Sequence, residues 1–166
     1  MKKIIVIGCP GSGKSYFSSK LSKILKIDKY HMDCIYWKPN WIPCQKDIFL
    51  NQIQEILNKD SFILDGNYNS SLKMRFEAAD TIYFLDLPTD ICLESIKQRT
   101  GKKREDLPDY LIEDGIDEEF LELVKHFNEN NRQNILNLIE IYKNKNIIVF
   151  KSREEVNEYL NKLNCL

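Results

Sequence analysis

The sequence predicts an α/β fold: a five-stranded parallel sheet with helices on both faces and a short lid. Three observations carry that prediction. Apolar runs of strand length alternate with longer segments whose apolar residues recur at helical spacing, and such alternation calls for parallel strands joined by crossover helices. The runs stop abruptly at small or acidic residues, at Gly8, Asp33, Asp65 and Asp86. The first run opens directly into a glycine-rich turn that leads into a helix.

Taken in order, Ile4, Ile5, Val6 and Ile7 form the first strand. Phe17, Leu21, Ile24 and Leu25 predict a helix over 14–25. Lys29 to Met32 reads as a brief second strand ending at Asp33. The stretch CIYWKPNWIP follows, and Pro39 and Pro43 exclude a regular helix there. A helix returns from Gln45 to Asn58, with Ile48, Phe49, Ile53, Ile56 and Leu57 on one side. Ser61 to Leu64 is the third strand, closing on Asp65-Gly66-Asn67-Tyr68, and a short helix over 70–79 carries Lys73 and Arg75. Thr81 to Leu85 is the fourth strand, ended by Asp86 and Pro88, and a helix runs from Thr89 to about Arg99.

The segment from Gly101 to Asp117 has mixed charge and no apolar period, so it reads as a loop or lid. Phe120, Leu121, Leu123, Val124 and Phe127, then Ile135, Leu136, Leu138, Ile139 and Tyr142, mark two helices or one broken helix. Asn146 to Phe150 is the fifth strand. Ser152 and Glu155 form a capping box for a last helix whose inner face is Val156, Tyr159, Leu160 and Leu163. No repeat or linker divides the 166 residues, so the reading is one domain over 1–166 with a lid insertion at about 100–118.

Composition excludes several partners. The formal charge is −1, with acidic and basic residues almost balanced, so direct nucleic-acid binding has no global support. The basic cluster Lys102, Lys103 and Arg104 is answered by Glu105, Asp106, Asp109, Glu113 and Asp114, the pattern of a solvated lid. No apolar run approaches the roughly 18 residues of a membrane span. The five cysteines (Cys9, Cys34, Cys44, Cys92 and Cys165) contain no C-x-x-C pair, which suits reduced thiols in the cytoplasm. His31 reads as strand packing near the pocket and His126 as a helix-surface residue.

The chemistry concentrates in IIVIGCPGSGKS. Gly8, Gly13, Lys14 and Ser15 fit G-x-x-x-x-G-K-[ST], the phosphate-binding loop, and make the expected architecture a three-layer P-loop NTPase fold. Glycines let successive backbone N–H groups converge on one anion, and the helix that follows adds its positive end. Lys14 supplies a mobile cation for the β- and γ-phosphates, and the Ser15 hydroxyl can hold Mg²⁺. ATP and Mg²⁺ are therefore the expected cofactors, with Gly8, Pro10, Gly11, Ser12, Gly13, Lys14, Ser15 and Tyr16 around the nucleotide.

In a parallel sheet, ligands bind beyond the carboxyl ends of the strands. Asp65 is the favoured partner of Ser15 at the metal, because Gly66 after it clears room for a ligand; Asp86 is its competitor. Asp33 lies where a phosphate acceptor would approach and can take a proton from, or hydrogen-bond, an attacking hydroxyl. Trp37 and Trp41 are candidates for a stacking wall, and Asp65, Gly66, Asn67 and Tyr68 for the floor of the acceptor pocket. Arg99 and Arg132 are placed to offset charge on the transferred phosphoryl group, and Arg75 to reach an acceptor group near Asp65.

The order of these pieces resembles the adenylate kinase-like branch of P-loop proteins, in which the third strand ends in Asp-Gly and lid arginines meet the transferred phosphate. A closer resemblance is to the small bacterial DNA topology modulation proteins of FlaR type. It is carried by IIVIGCPGSGKS, YHMDCIYWKPNW, ILDGNY, TIYFLDLP and VFKSREEVNEYL, which together span nearly the whole chain. Three departures stand out: Tyr16 where the FlaR-type family has Thr, a lid shorter than in long adenylate kinases, and Asn67-Tyr68 in place of the arginine-bearing acceptor signature that follows Asp-Gly in adenylate kinases. The expectation is a cytoplasmic kinase passing the γ-phosphoryl group of ATP to a small acceptor. The alternative is a regulatory ATP-binding protein with slow hydrolysis and a macromolecular partner such as DNA.

Overall fold

The computed structural model describes residues 1–102, 104, 106–111, 115 and 117–165. The expectation that Lys103, Glu105, Glu113 and Asp114 are solvated lid charges lies outside the described residues.

The central strand is β1 (Lys3–Gly8), whose side chains from Ile4 to Ile7 are wholly buried. On one side it pairs in parallel with β5 (Phe62–Asp65), which in turn pairs with β2 (Lys29–His31). On the other it pairs with β6 (Thr81–Leu85), followed by β7 (Asn146–Phe150) at the far edge. The sheet order is therefore β2-β5-β1-β6-β7, all parallel. Strands buried on both faces read as unbroken apolar runs, which is why KIIVIG and TIYFL show no alternation.

Helices α1 (Lys14–Leu25) and α8 (Arg153–Asn164) pack on each other over one face. Helices α3 (Lys46–Leu57) and α4 (Asn69–Ala78) pack together on the other, with α4 against β1. An aromatic cluster pins α1. Phe17 meets Tyr83 edge-on at 4.8 Å between ring centroids, and Phe150 and Tyr159 close around them. The Tyr83 and Tyr159 hydroxyls share a hydrogen bond of 2.8 Å, so the two polar tips of this cluster satisfy each other. The start of α1, and the loop before it, is thereby held rigidly against the sheet.

Ser152 accepts a bond from the Glu155 N–H at 3.2 Å, as a capping box requires, although the Glu155 carboxylate returns to Lys151 N rather than to the cap itself. Helix α5 (Thr89–Arg99) ends where expected. Beyond the lid, α6 (Glu118–Lys125) and α7 (Gln133–Ile141) are joined by a π-helical turn over Asn128–Arg132, so the expected break in the helix is real.

Two expectations need correction. The second strand stops at His31, and Met32–Tyr36 forms a short helix α2, so Cys34, Ile35 and Tyr36 are helical after all. Met32 is completely buried, and that packing turns the chain inward earlier than the local pattern implied. From Trp37 the chain does leave the helix, forming a small antiparallel hairpin of β3 (Trp37–Lys38) and β4 (Ile42–Pro43). Ile48, expected on the inner face of α3, is exposed.

Candidate active site

The loop between β1 and α1 wraps back on itself through Gly8, Gly11 and Gly13, all at positive φ (148°, 83° and 94°). Gly11 has no alternative, because a Cβ there would stand 2.3 Å from the Cys92 carbonyl oxygen in α5. Gly13 caps α1 without any side-chain hydrogen bond, so the N–H groups of the first turn face outward into the loop. Lys14 Nζ donates to the carbonyls of Gly8 and Cys9, each at 2.9 Å, and burial lowers its pKa. Tyr16 continues the helix with its ring exposed and Lys20 beside it, so the bulkier phenol leaves the helix start intact.

Next to the loop lies a cluster that the sequence did not reveal. The β2–β5 register sets His31 opposite Asp65, and His31 Nδ1 bonds the Asp65 carboxylate in the interior. His31 Nε2 lies 3.3 Å from Asp33 and 3.6 Å from Asp106. Burial alone would lower the His31 pKa, but the bonds and charges of Asp33 and Asp65 raise it to about 9, so the imidazole is cationic at neutral pH. Burial would likewise raise Asp33, yet the bonds from His31 and Tyr68 bring it down to about 2. The Tyr68 hydroxyl donates to Asp33 at 2.7 Å. One oxygen of Asp65, Oδ2, is buried with no hydrogen-bond partner among the described residues.

Asp106 comes from the lid. Arg104 holds it through Nε at 3.0 Å and a second nitrogen at 2.6 Å, and its backbone carbonyl accepts from Cys34 Sγ at 3.3 Å. Against the effect of burial, Arg104, His31 and the Ser15 hydroxyl keep its carboxyl well below the usual range. Asp106 is thus docked beside Ser15 and Arg104 rather than solvated. His31 carried one hint in sequence, since it ends a strand two residues before Asp33. Asp106 carried none, because the contact joins segments some 90 residues apart.

The remaining candidates scatter. Arg99 lines the cleft at the end of α5. Arg132 does not join it there: its guanidinium takes Asp86 in a two-point pair of 2.7 and 2.8 Å, and Lys151 binds the same carboxylate. Asp86 is therefore engaged by two cations, and Asp65 is in turn wholly buried and bonded to His31. Arg75 is wholly buried and donates to the backbone carbonyls of Gly66 (2.8 Å) and Tyr68 (3.0 Å), so it braces the turn and does not reach an acceptor. Gly66 also differs from expectation. A Cβ there would meet Met32 at 2.7 Å, so close packing of α2, rather than room for a ligand, requires the glycine. Trp37 and Trp41 do stand together at the cleft wall, with ring centroids 5.7 Å apart and planes at 70°.

The glycine loop, Lys14, Ser15, His31, Asp33, Asp106, Arg99, Trp37 and Trp41 line one cleft of about 1920 Å³, whereas Asp65, Arg75, Asp86 and Arg132 do not. A single small-molecule pocket spans about 300–1,000 Å³, so there is space for two ligands side by side. Among the described residues, no group of three or more His, Cys, Asp or Glu is arranged to hold a metal by itself. No helix among the described residues is long and apolar enough to cross a membrane.

A parallel sheet with the loop strand at its centre and a glycine cradle at the first strand-to-helix turn is the fold of the P-loop kinases. Solved structures agree. The chain is similar to a gluconokinase from Sinorhizobium meliloti 1021 (TM-score 0.59, 15% identity, covering 99% of this chain and 90% of that one). It is similar to a shikimate kinase from Bacteroides thetaiotaomicron (0.55, 13%, 96% and 94%) and to a deoxyadenosine kinase from M. mycoides with bound dATP (0.53, 18%, 97% and 98%). At these identities the likeness is one of fold. No protein-family model matches the chain, and no curated protein matches it either.

Proposed function

We propose that this protein is a kinase that transfers the γ-phosphoryl group of ATP to the hydroxyl of a small acceptor. The observation that carries the reading is the meeting, in one cleft, of the glycine cradle, Lys14 and Ser15 with a fixed carboxylate, Asp33. The kinases of like fold named above support it. In this reading the loop amides from Gly8 to Ser15 and the ammonium of Lys14 hold the phosphates. Arg99 closes on the charge that develops during transfer, while Arg132 would have to leave Asp86 to take part.

The residues fit Mg²⁺. Ser15 would offer it a hydroxyl from the cleft wall, whereas Asp65 is wholly buried, bonded to His31 and absent from the cleft lining, so the fit rests on Ser15; few protein ligands are usual for this ion beside phosphates. When bound, the ion would offset phosphate charge. Asp33, held at about 2, is a weak proton acceptor, so its task is to orient the acceptor hydroxyl by a hydrogen bond. A loose phosphoryl-transfer transition state needs little more from a base. The chain acts as one domain over 1–166, with Arg104 and Asp106 of the lid lining the cleft, and the free cysteines suit a cytoplasmic setting.

Calorimetry with ATP and magnesium, and ADP release in the presence of acceptors, test the reading. Lys14→Ala should weaken ATP binding by at least tenfold and abolish turnover. Unchanged affinity and rate in that variant would refute the assignment. Turnover indifferent to every small acceptor, together with salt-sensitive DNA binding, would favour the regulatory, topology-modulating alternative instead.

A further inference from the structure

His31 is 8% exposed, yet it does more than pack. Its ring reaches the wall of the cleft together with Asp33, and its two nitrogens have different surroundings. Nδ1 donates to the wholly buried carboxylate of Asp65, which fixes the orientation of the ring and the proton on that nitrogen. Nε2 faces Asp33 at 3.3 Å and Asp106 at 3.6 Å. A neutral ring would set a lone pair against these two carboxylates, so Nε2 carries a proton as well.

That second N–H is left without a well-aligned bond. Charge-assisted N–H···O bonds close to about 2.7–2.9 Å. Neither carboxylate comes so near, and Nε2 is buried with no hydrogen-bond partner among the described residues. The carboxylates attract the ring through their charge without meeting its proton end-on. An unmade bond at a buried donor is costly, so the donor calls for a partner that arrives from the cleft.

The two carboxylates are not equally available to that partner. Arg104 takes both oxygens of Asp106. Tyr68 takes Oδ1 of Asp33 and leaves Oδ2 beside His31 Nε2. Asp33 is also the more open, with 34% of its side chain exposed against 20% for Asp106. A group arriving at Asp33 therefore meets an accepting oxygen and a donating N–H side by side. A hydroxyl matches both, since it donates one proton and offers two lone pairs. A protonated amine offers donors alone and would set a second cation against His31.

Resting on the kinase reading, we infer that His31 is an acceptor-binding residue: its Nε2–H donates to the oxygen of the acceptor hydroxyl whose own proton is bonded by Asp33, and the pair selects a hydroxyl over an amine at the reacting position. The second lone pair of that oxygen forms the bond to the γ-phosphorus, and the bond from that phosphorus to the β,γ-bridging oxygen breaks. The electron pair leaves with ADP, and the hydroxyl proton passes to solvent.

Two substitutions separate this role from a structural one. His31→Asn keeps an amide N–H near the place of Nδ1, within reach of Asp65, and removes the donor at Nε2. His31→Gln extends an amide N–H to the place of Nε2 and gives up the bond to Asp65. The full chain, with ATP and magnesium, is offered nucleosides, nucleoside monophosphates, aldoses and sugar acids, each beside its amino-for-hydroxyl analogue. ADP release is followed for every compound, ATP affinity by calorimetry, and the melting temperature by circular dichroism. The expected result is turnover with at least one hydroxyl compound, at least tenfold above its amino analogue in kcat/KM. His31→Asn should raise the KM for that compound at least tenfold and leave ATP affinity and melting temperature near those of the wild type. His31→Gln should recover most of that KM although it melts lower. The opposite order, with asparagine harmless to KM and glutamine damaging, makes His31 structural and overturns the inference. Weakened ATP binding in His31→Asn, an amino analogue used as well as its hydroxyl parent, or no turnover with any hydroxyl compound overturns it too, while Lys14-dependent ATP binding keeps the kinase reading alive. Failure of the wild-type chain to bind ATP removes both.

Discussion

Replacing Arg75 with methionine separates two accounts of one residue. The sequence placed this arginine against an acceptor; the structure buries it completely beneath the β5–α4 turn. Methionine keeps most of the volume and removes both donors. The carbonyls of Gly66 and Tyr68 then lose their bonds of 2.8 and 3.0 Å inside the protein. Each orphaned acceptor costs about 1–3 kcal/mol. Against this, the variant is relieved of burying a guanidinium, a burden visible in a pKa that burial lowers to about 9. Nearby Asp65 loses a compensating charge, which works in the opposite direction. The balance is a loss of about 2–4 kcal/mol. With a urea slope of about 2 kcal/mol per molar for a chain of this size, the unfolding midpoint should fall by about 1–2 M, as followed by circular dichroism. A midpoint within about 0.2 M of the wild type, with a raised KM for the acceptor, would refute the bracing role and restore the sequence reading.

Two glycine variants of the loop should part company. Gly11→Ala drives a methyl to 2.3 Å from the Cys92 carbonyl at φ 83°, so it should lower the melting temperature and weaken ATP binding together. Gly13→Ala meets nothing within 4 Å but stays at φ 94°, so it should cost only about 1 kcal/mol in stability while crowding the phosphates. Equal stability losses in urea titrations would contradict this. Asp86 gives a pH prediction. Burial would raise its pKa, but Arg132 and Lys151 hold it below the usual value. A carboxyl depressed in the folded state stabilises above its unfolded pKa of about 3.9, and that contribution is lost as pH falls through the folded value. Melting curves of Asp86→Asn and wild type should therefore differ by a constant amount above about pH 5 and converge as pH falls below the unfolded value; a difference that grows on acidification would show the sign to be wrong.

Much of the fold was legible because its signals are local. The strand ends at Gly8, Leu85 and Phe150, and the helices over Lys14–Leu25 and Thr89–Arg99, follow from apolar runs, spacing and loop chemistry within a dozen residues. The glycine cradle belongs to the same class, since its positive φ values are demanded by the residue types themselves. Met32–Tyr36 was misread because burial of Met32 beneath Gly66 overrode a pattern that looked extended.

Sequence alone determined the layered sheet and the anion-binding loop, both of which arise from periodicity and from the backbone freedom of glycine. Tertiary structure decided which charges meet. It paired Asp86 with Arg132 and Lys151, turned Arg75 inward, and drew Asp33, Asp65 and Asp106 around His31 from three separate segments. The reason is physical: a side chain's hydrophobic period is written in its neighbours along the chain, whereas its electrostatic partners are set by strand register and by the folding of distant segments over the sheet.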